Sequence, residues 1–283
     1  MAFTMLYLLV AHHCITFIIT QEGFYMLTNL HTHTFRCHHA AKASEREYIE
    51  NAITSGIKTL GFSEHIPCPF YDGHESGYRL FKADIDDYFD TLHRLKEEYE
   101  KDINILIGFE AEYYPKYFKD MLDFVSPFKP EYLILGQHFT YNEEDGFYCA
   151  LPTESDDVIV NYVDQALEGL STGTFTYLCH PDLINYTGND EIYYTQMKRL
   201  CEGVKKMGYP LEFNFLGWST NRPYPCKRFF KIAAEVGNDI ILGCDAHNPK
   251  ALLTKETEKE ALSFLKEFGL KPLDKFKINY LKW

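Results

Sequence analysis

The stretch Asn29-Leu30-His31-Thr32-His33-Thr34, entered from the apolar residues Met26 and Leu27, decides how the rest of the chain is read. Alternate residues of an extended segment point to the same side, so His31 and His33 aim two imidazoles at one point. That is a metal-binding geometry. The same arrangement, an apolar run ending in ligand-type residues, recurs along the chain. Residues 57–62 lead to Ser63-Glu64-His65, 103–109 to Glu110-Ala111-Glu112, and 132–136 to Gln137-His138. Residues 174–178 lead to Cys179-His180-Pro181-Asp182, and 239–243 to Cys244-Asp245-Ala246-His247. A further strand at 210–215 carries Glu212 and Asn214 on one side.

Helix signals lie between these runs. Ser44 can cap a helix with Glu47 closing the capping box, and that helix ends near Gly56. Others are expected at about 83–101, 115–125, 156–170, 190–207 (stopped by Gly208) and 226–236, and a charged one at 255–268. A long loop with Pro67, Pro69, Gly73 and Gly77 spans 66–82, a length usually kept for function. Strand alternating with helix predicts successive βαβ units and a parallel sheet. Seven such units in 283 residues, with no linker of Gly, Pro and Ser, favour one closed barrel over two domains. Chemistry in such a barrel is assembled at the C-terminal ends of the strands, which is where the ligand-type residues stand.

A hydrophobic fraction of 46% suffices for a large core, and the net charge of -13 argues against nucleic acid as a partner. The eight cysteines form no C-x-x-C pair and read as reduced thiols of a cytoplasmic protein. Residues 1–25 are apolar, yet no Lys or Arg precedes Arg36, and His12, His13 and Cys14 interrupt the run. A secretory signal and a spanning helix both fit poorly. Residues 1–25 are expected to be an extension outside the core, a membrane anchor being the alternative, and 26–283 a single barrel domain with no membrane partner.

Any one polar strand end can be a satisfied core group. Six of seven strands ending so point instead to a cluster. Imidazole and carboxylate without paired thiolates suit Zn, Mn or Fe, and eight or nine candidates imply two to three divalent ions, with Glu110 free to bridge. Such ions supply hydroxide at neutral pH and bind phosphoryl or carbonyl oxygens, so hydrolysis follows. The G-x-S-x-G elbow, Walker loop and G-x-G-x-x-G fingerprint are absent from the sequence. Cys179 and Cys244 are expected on the opposite side of their strands, packing in the core.

The ordered set His31-x-His33, His39, Ser63-Glu64-His65, Gly108-Phe109-Glu110, Gln137-His138, Cys179-His180-Pro181 and Asp245-Ala246-His247 resembles the polymerase-and-histidinol-phosphatase (PHP) superfamily. Within it, His31-Thr32-His33-Thr34, Gly136-Gln137-His138-Phe139 and Glu212-x-Asn214 followed by Arg222 resemble the histidinol-phosphate phosphatases. The resemblance implies a distorted (β/α)7 TIM-like barrel with three metals. His31, His33, Glu110 and Asp245 would hold the first, Glu110 bridging to a second on His138 and His180, and His39, His65 and His247 the third. His39 is preferred to His38 because its spacing from His31 matches the family's ligand. The implied reaction is hydrolysis of L-histidinol phosphate, in histidine biosynthesis, by a metal-bridging hydroxide. Arg222 and, second, Arg36 are the phosphate-binding candidates, with Glu112, Asp182 and Asn214 as unranked candidates near the substrate's amino and imidazole groups. Asp245 is the candidate for steering the nucleophile and passing a proton to the leaving alkoxide. Other PHP-type phosphoesterases acting on nucleotide or sugar phosphates, and a non-catalytic metal-binding barrel, remain open.

Overall fold

The two longest staves, β2 (Thr59–His65) and β3 (Asn104–Ala111), pair in parallel from Thr59 opposite Asn104 to His65 opposite Glu110. Their buried, apolar sequences suit staves covered on both faces. This computed structural model describes residues 26–283; residues 1–25, read above as an extension, lie outside the described residues. β1 (Thr28–Asn29) pairs with β2, and β4 (Tyr132–Leu135) with β3, giving the order β1-β2-β3-β4. β5 (Leu211–Asn214) and β6 (Ile240–Gly243) form a second parallel pair.

Single bridges close the ring. Leu178 pairs with Leu135 on one side and Leu211 on the other, and Thr32, past β1, pairs with Ala246, past β6. Seven staves therefore run round a distorted (β/α)7 TIM-like barrel among the described residues. The strand expected at 174–178 shrinks to Leu178. Its neighbours are held by Leu135 N–H to Tyr177 O (3.0 Å) and Cys179 N–H to Leu135 O (2.9 Å), but His180 then turns left-handed at φ 29° and ends the pairing.

The first helix, α1 (Glu45–Ser55), has the expected Ser44–Glu47 capping box and stops at Gly56, whose φ of 89° favours glycine. α2 (Ile85–Glu98), α3 (Phe118–Val125), α4 (Asp156–Ser171) and α5 (Asp190–Met207) follow in turn. α5 buries Tyr193, Met197, Leu200, Cys201 and Val204, a stripe at helical spacing that faces the barrel. A short helix, α6 (Phe215–Ser219), starts where β5 ends, because the Asn214 side chain accepts Gly217 N–H at 2.8 Å. α7 (Lys227–Val236) and α8 (Lys255–Lys266) complete the outer layer.

The chain does not end at α8. Pro272 bridges to Ile240, Leu281 N–H reaches Glu131 O at 2.9 Å, and the Trp283 indole donates to Pro130 O at 2.8 Å. This tail lies across the floor of the barrel. Leu273, Phe276 and Ile278 cover an inner cluster of Leu30, Leu106, Tyr132, Ile134, Tyr177, Cys179 and Ile241. No described helix is long and apolar enough to cross a membrane.

Candidate metal centre

Each stave delivers a polar side chain as it leaves the ring at the end opposite the tail. His31 and His33 flank the Thr32 bridge, His65 and Glu110 are register partners on β2 and β3, and His138 follows β4. His180 and Asp245 both adopt left-handed φ, 29° and 48°. For residues other than glycine this costs on the order of 1 kcal/mol or more each, and it swings their side chains inward where an extended strand would carry on.

Glu110 is the hub. Its Oε2 lies 3.3 Å from His31 Nε2, 3.3 Å from His33 Nε2 and 3.2 Å from His65 Nδ1. The other oxygen, Oε1, lies 2.8 Å from His180 Nε2 and 3.6 Å from His138 Nε2. Asp245 Oδ1 faces the same region, 3.4 Å from His31 Nε2, 3.3 Å from His33 Nε2 and 3.2 Å from His247 Nδ1. His247 Nε2 meets His39 Nε2 at 2.8 Å. Gly136 and Gly243 make room for the buried carboxylates: a Cβ at Gly136 would fall 1.9 Å from Glu110 Oε1, and one at Gly243 1.8 Å from Glu212 Oε1.

Three of these histidines back onto a second carboxylate through Nδ1. His31 meets Glu212 at 2.9 Å, His33 meets Glu64 at 3.3 Å and His138 meets Glu112 at 2.8 Å. Each such contact turns Nε2 toward Glu110, the arrangement that orients metal-ligating imidazoles. Asn214, named above as a substrate contact, is fully buried and braces this layer, donating to Glu212 Oε2 at 2.9 Å and to Asp245 Oδ2 at 3.2 Å. It is therefore a support for Asp245 and does not line the cavity.

The donor set fits divalent ions. His31 Nε2, His33 Nε2 and His65 Nδ1 are buried with no hydrogen-bond partner, although Glu110 or Asp245 stands 3.2–3.4 Å away. Nitrogen and oxygen atoms bonded to one tetrahedral ion at about 2.0–2.1 Å are themselves about 3.3–3.4 Å apart. The spacing is that of ligands converging on a shared point. Charge points the same way, since burying Glu64, Glu110, Glu212 and Asp245 together demands cations among them. Burial opposes a proton on His31, but Asp245, Glu212 and Glu110 outweigh it and raise its pKa well above the ordinary value. Burial likewise disfavours charge on Glu110 and Asp245, yet the surrounding imidazoles, His31 first, hold both well below the usual carboxylate range. His39 moves the other way: burial, then His247, lowers it to about 4, leaving it neutral at physiological pH.

All nine expected ligands meet at this mouth, with one difference in grouping. Donor atoms of His31, His33 and Asp245 form one compact set, and those of His33, His65 and His247 another. His39 joins through His247. His38 instead packs against Phe81, ring centroids 4.0 Å apart and planes tilted by 36°, and turns outward. Cys179 packs in the inner core as expected but not on the expected side, because its strand is one residue long and alternation does not apply. Its Sγ points inward, 2.8 Å from Leu135 O and 3.6 Å from Glu110 Oε1, while Cys244 packs in the outer core. Arg36 is also corrected: it is buried against Glu45 and Asp87, with Nη2 2.6 Å from Asp87 Oδ2, and faces away from the cluster.

A cavity of about 330 Å³ opens over the cluster, with Tyr78, Phe139, Tyr148, Tyr224 and Arg222 on its walls. Arg222 holds its place through a 3.0 Å bond from Nη1 to the Tyr224 hydroxyl. Sequence reasoning left Glu64 without a role, put Glu112 near the substrate where the structure sets it behind His138, and missed the aromatic wall. The Glu-x-Glu pair at 110 and 112 and the Glu64-His65 pair were the only local signals for the supporting carboxylates.

A parallel barrel with an imidazole–carboxylate cluster at the C-terminal ends of its staves defines a metal-binding member of the TIM-like class. The model of the PHP domain matches residues 29–215, and the chain belongs to that family. It is 26% identical over 240 residues to the "Probable histidinol-phosphatase" of Deinococcus radiodurans, covering 79% of this chain and 87% of that one. A "Probable histidinol-phosphatase" of Schizosaccharomyces pombe is 25% identical over 248 residues, 77% of this chain and 80% of that one. The fold is similar to that of histidinol phosphate phosphatase from Lactococcus lactis, solved with zinc, L-histidinol and phosphate. That match has a TM-score of 0.65 and 18% identity, and covers 88% of this chain and 96% of that one.

Proposed function

We propose that this chain is a metal-dependent phosphomonoesterase that hydrolyses L-histidinol phosphate to L-histidinol and phosphate, a step of histidine biosynthesis. The observation that carries the reading is Glu110, one oxygen toward His31, His33 and His65 and the other toward His138 and His180, beneath a cavity walled by Arg222. Likeness over 79% and 77% of this chain to two relatives named probable histidinol-phosphatases supports the substrate. His31, His33, His39, His65, Glu110, His138, His180, Asp245 and His247 would hold two to three divalent ions, of Zn, Mn or Fe. Bound there, the ions would supply Lewis acidity toward phosphate oxygens and acidify a water.

The chain's own groups do the rest. Arg222 presents a planar guanidinium to the phosphate, a bidentate match that spreads the charge developing in phosphoryl transfer. Asp245, kept ionised by His31 and its other neighbours, is placed to orient the attacking water, take its proton and pass that proton to the leaving alkoxide. Glu64, Glu112 and Glu212 keep the imidazoles aimed. Tyr78, Phe139 and Tyr148 give the amino-alcohol end an aromatic surface on which a cation or an imidazole stacks. We place the enzyme in the cytoplasm, take residues 26–283 as its catalytic unit, and expect removal of residues 1–25 to leave turnover unchanged.

The test is phosphate release from L-histidinol phosphate, a nucleoside monophosphate and an aryl phosphate by protein of measured metal content. Preference for the first by at least about tenfold in kcat/KM supports the reading. Equal weak turnover of all three would leave a generic phosphatase, and full metal content without turnover would leave a binding barrel.

A further inference from the structure

The long loop 66–82 carries Arg79, which is 1% exposed and lies outside the ligand set. Each of its three nitrogens has a partner. Nη1 stands 2.7 Å from Glu112 Oε2 and donates to Ile66 O at 3.1 Å, Nε donates to Glu143 Oε2 at 2.8 Å, and Nη2 donates to the Tyr78 hydroxyl at 2.8 Å. Arg79 thus joins the segments that follow β2, β3 and β4. One arm ends in the cluster: Glu112 Oε1 accepts from the Tyr78 hydroxyl at 3.1 Å and meets His138 Nδ1 at 2.8 Å. The other arm ends away from it, where Glu143 Oε1 meets the exposed His74 at 3.1 Å.

We propose that Arg79 is a positioning residue of the metal centre: its guanidinium fixes Glu112, and Glu112 fixes His138 with Nε2 toward Glu110. The proposal rests on the reading of His138 as a ligand. Of the three carboxylate-backed imidazoles of the cluster, His138 is the one whose support comes from a loop. Glu64 stands on β2 and Glu212 on β5, both held by their staves, whereas Glu112 lies one residue past β3 and needs an external anchor. A guanidinium supplies it because its planar fork reaches Glu112, Glu143 and Tyr78 together, which the single ammonium of lysine does not. The same fork sets Tyr78, whose ring stands 4.9 Å from that of His65 and forms part of the cavity wall. One arginine therefore aligns a metal-facing histidine and the wall beside it.

The two arms provide the test. Full-length wild type, Arg79→Met, Arg79→Lys, Glu112→Gln and Glu143→Gln are stripped of metal and titrated with zinc alone, and their melting temperatures, kcat and KM are measured. Arg79→Met and Glu112→Gln are expected to bind one equivalent of zinc roughly 10–100-fold more weakly, with kcat lowered by a similar factor and with KM raised as well in Arg79→Met, which also frees Tyr78. Arg79→Lys should recover only part of the loss. Glu143→Gln should lower the melting temperature yet bind zinc as wild type does. Equal weakening of zinc by Glu112→Gln and Glu143→Gln, or wild-type zinc binding in Glu112→Gln, would overturn the proposal, and this pair decides even if Arg79→Met does not fold. Wild-type protein that shows the expected zinc pattern but no turnover of histidinol phosphate would end the substrate reading and leave this one standing.

Discussion

The same seven staves build two opposite ends. At the floor, Leu30, Leu106, Tyr132, Ile134, Tyr177 and Ile241 meet under Leu273, Phe276 and Ile278, and the Tyr132 hydroxyl donates to Leu30 O at 2.8 Å. At the mouth, five carboxylates and a ring of imidazoles are buried together, and His180 and Asp245 hold left-handed backbones. The floor stabilises through area removed from water, at roughly 25 cal/mol per Å². The mouth costs free energy until cations occupy it. Stability and chemistry are therefore divided along the barrel axis, so damage at one end should be visible with little effect at the other.

The largest break should come from Gly136→Ala. Its new Cβ would fall 1.9 Å from Glu110 Oε1 and must push the hub aside. Turnover should fall about 100-fold or more, as displacements of about 1 Å do, with bound metal reduced. Half-normal activity at full metal content would mean that Glu110 is not where the chemistry needs it.

Arg222→Ala should come next. Arg222 is exposed, so its melting temperature should match wild type, while KM for the phosphate ester rises roughly 10–100-fold, the worth of a charged hydrogen bond of about 1.5–3 kcal/mol. Unchanged kinetics would remove it from the site.

Phe276→Ala probes the other end. Loss of a half-buried ring from the floor should cost about 1–3 kcal/mol of stability in denaturant unfolding, with kcat per bound metal unaltered. A large loss of kcat with intact folding would contradict the division of labour.

The smallest effect is in pH dependence away from both ends. Burial moves the Glu258 carboxyl up from 4.5 to about 7, only partly offset by Met26 N–H, which it accepts at 2.8 Å. Between those values the folded chain keeps a proton that the unfolded chain has released, so stability should fall as pH rises across that window. Glu258→Gln should flatten that decline, and an identical slope in both proteins would show that the carboxyl is ionised throughout.

Much of the mouth was legible beforehand because each stave is a short apolar run and its successor is polar. His31, His65, Glu110, His138, His180 and Asp245 all stand at such a boundary. The misplaced residues share a different property. Arg36 looked free, yet it meets Glu45 and Asp87, the second on α2, 51 residues away. Cys179 was assigned by alternation on a strand that the left-handed His180 cuts to one residue. The tail that seals the floor carries no regular period, and its pairing with Ile240 and Glu131 is entirely long-range.

By itself the sequence determined the barrel class, the order of the staves and the residue types at their ends, because hydrophobic periodicity and punctuation act over a few neighbouring residues. Only the tertiary structure decided which nitrogen of each imidazole faces Glu110, which carboxylate stands behind it and which loop arginine holds Glu112. Those choices depend on side-chain directions at broken strand ends and on contacts such as His31 with Glu212, 181 residues apart, for which local sequence carries no signal.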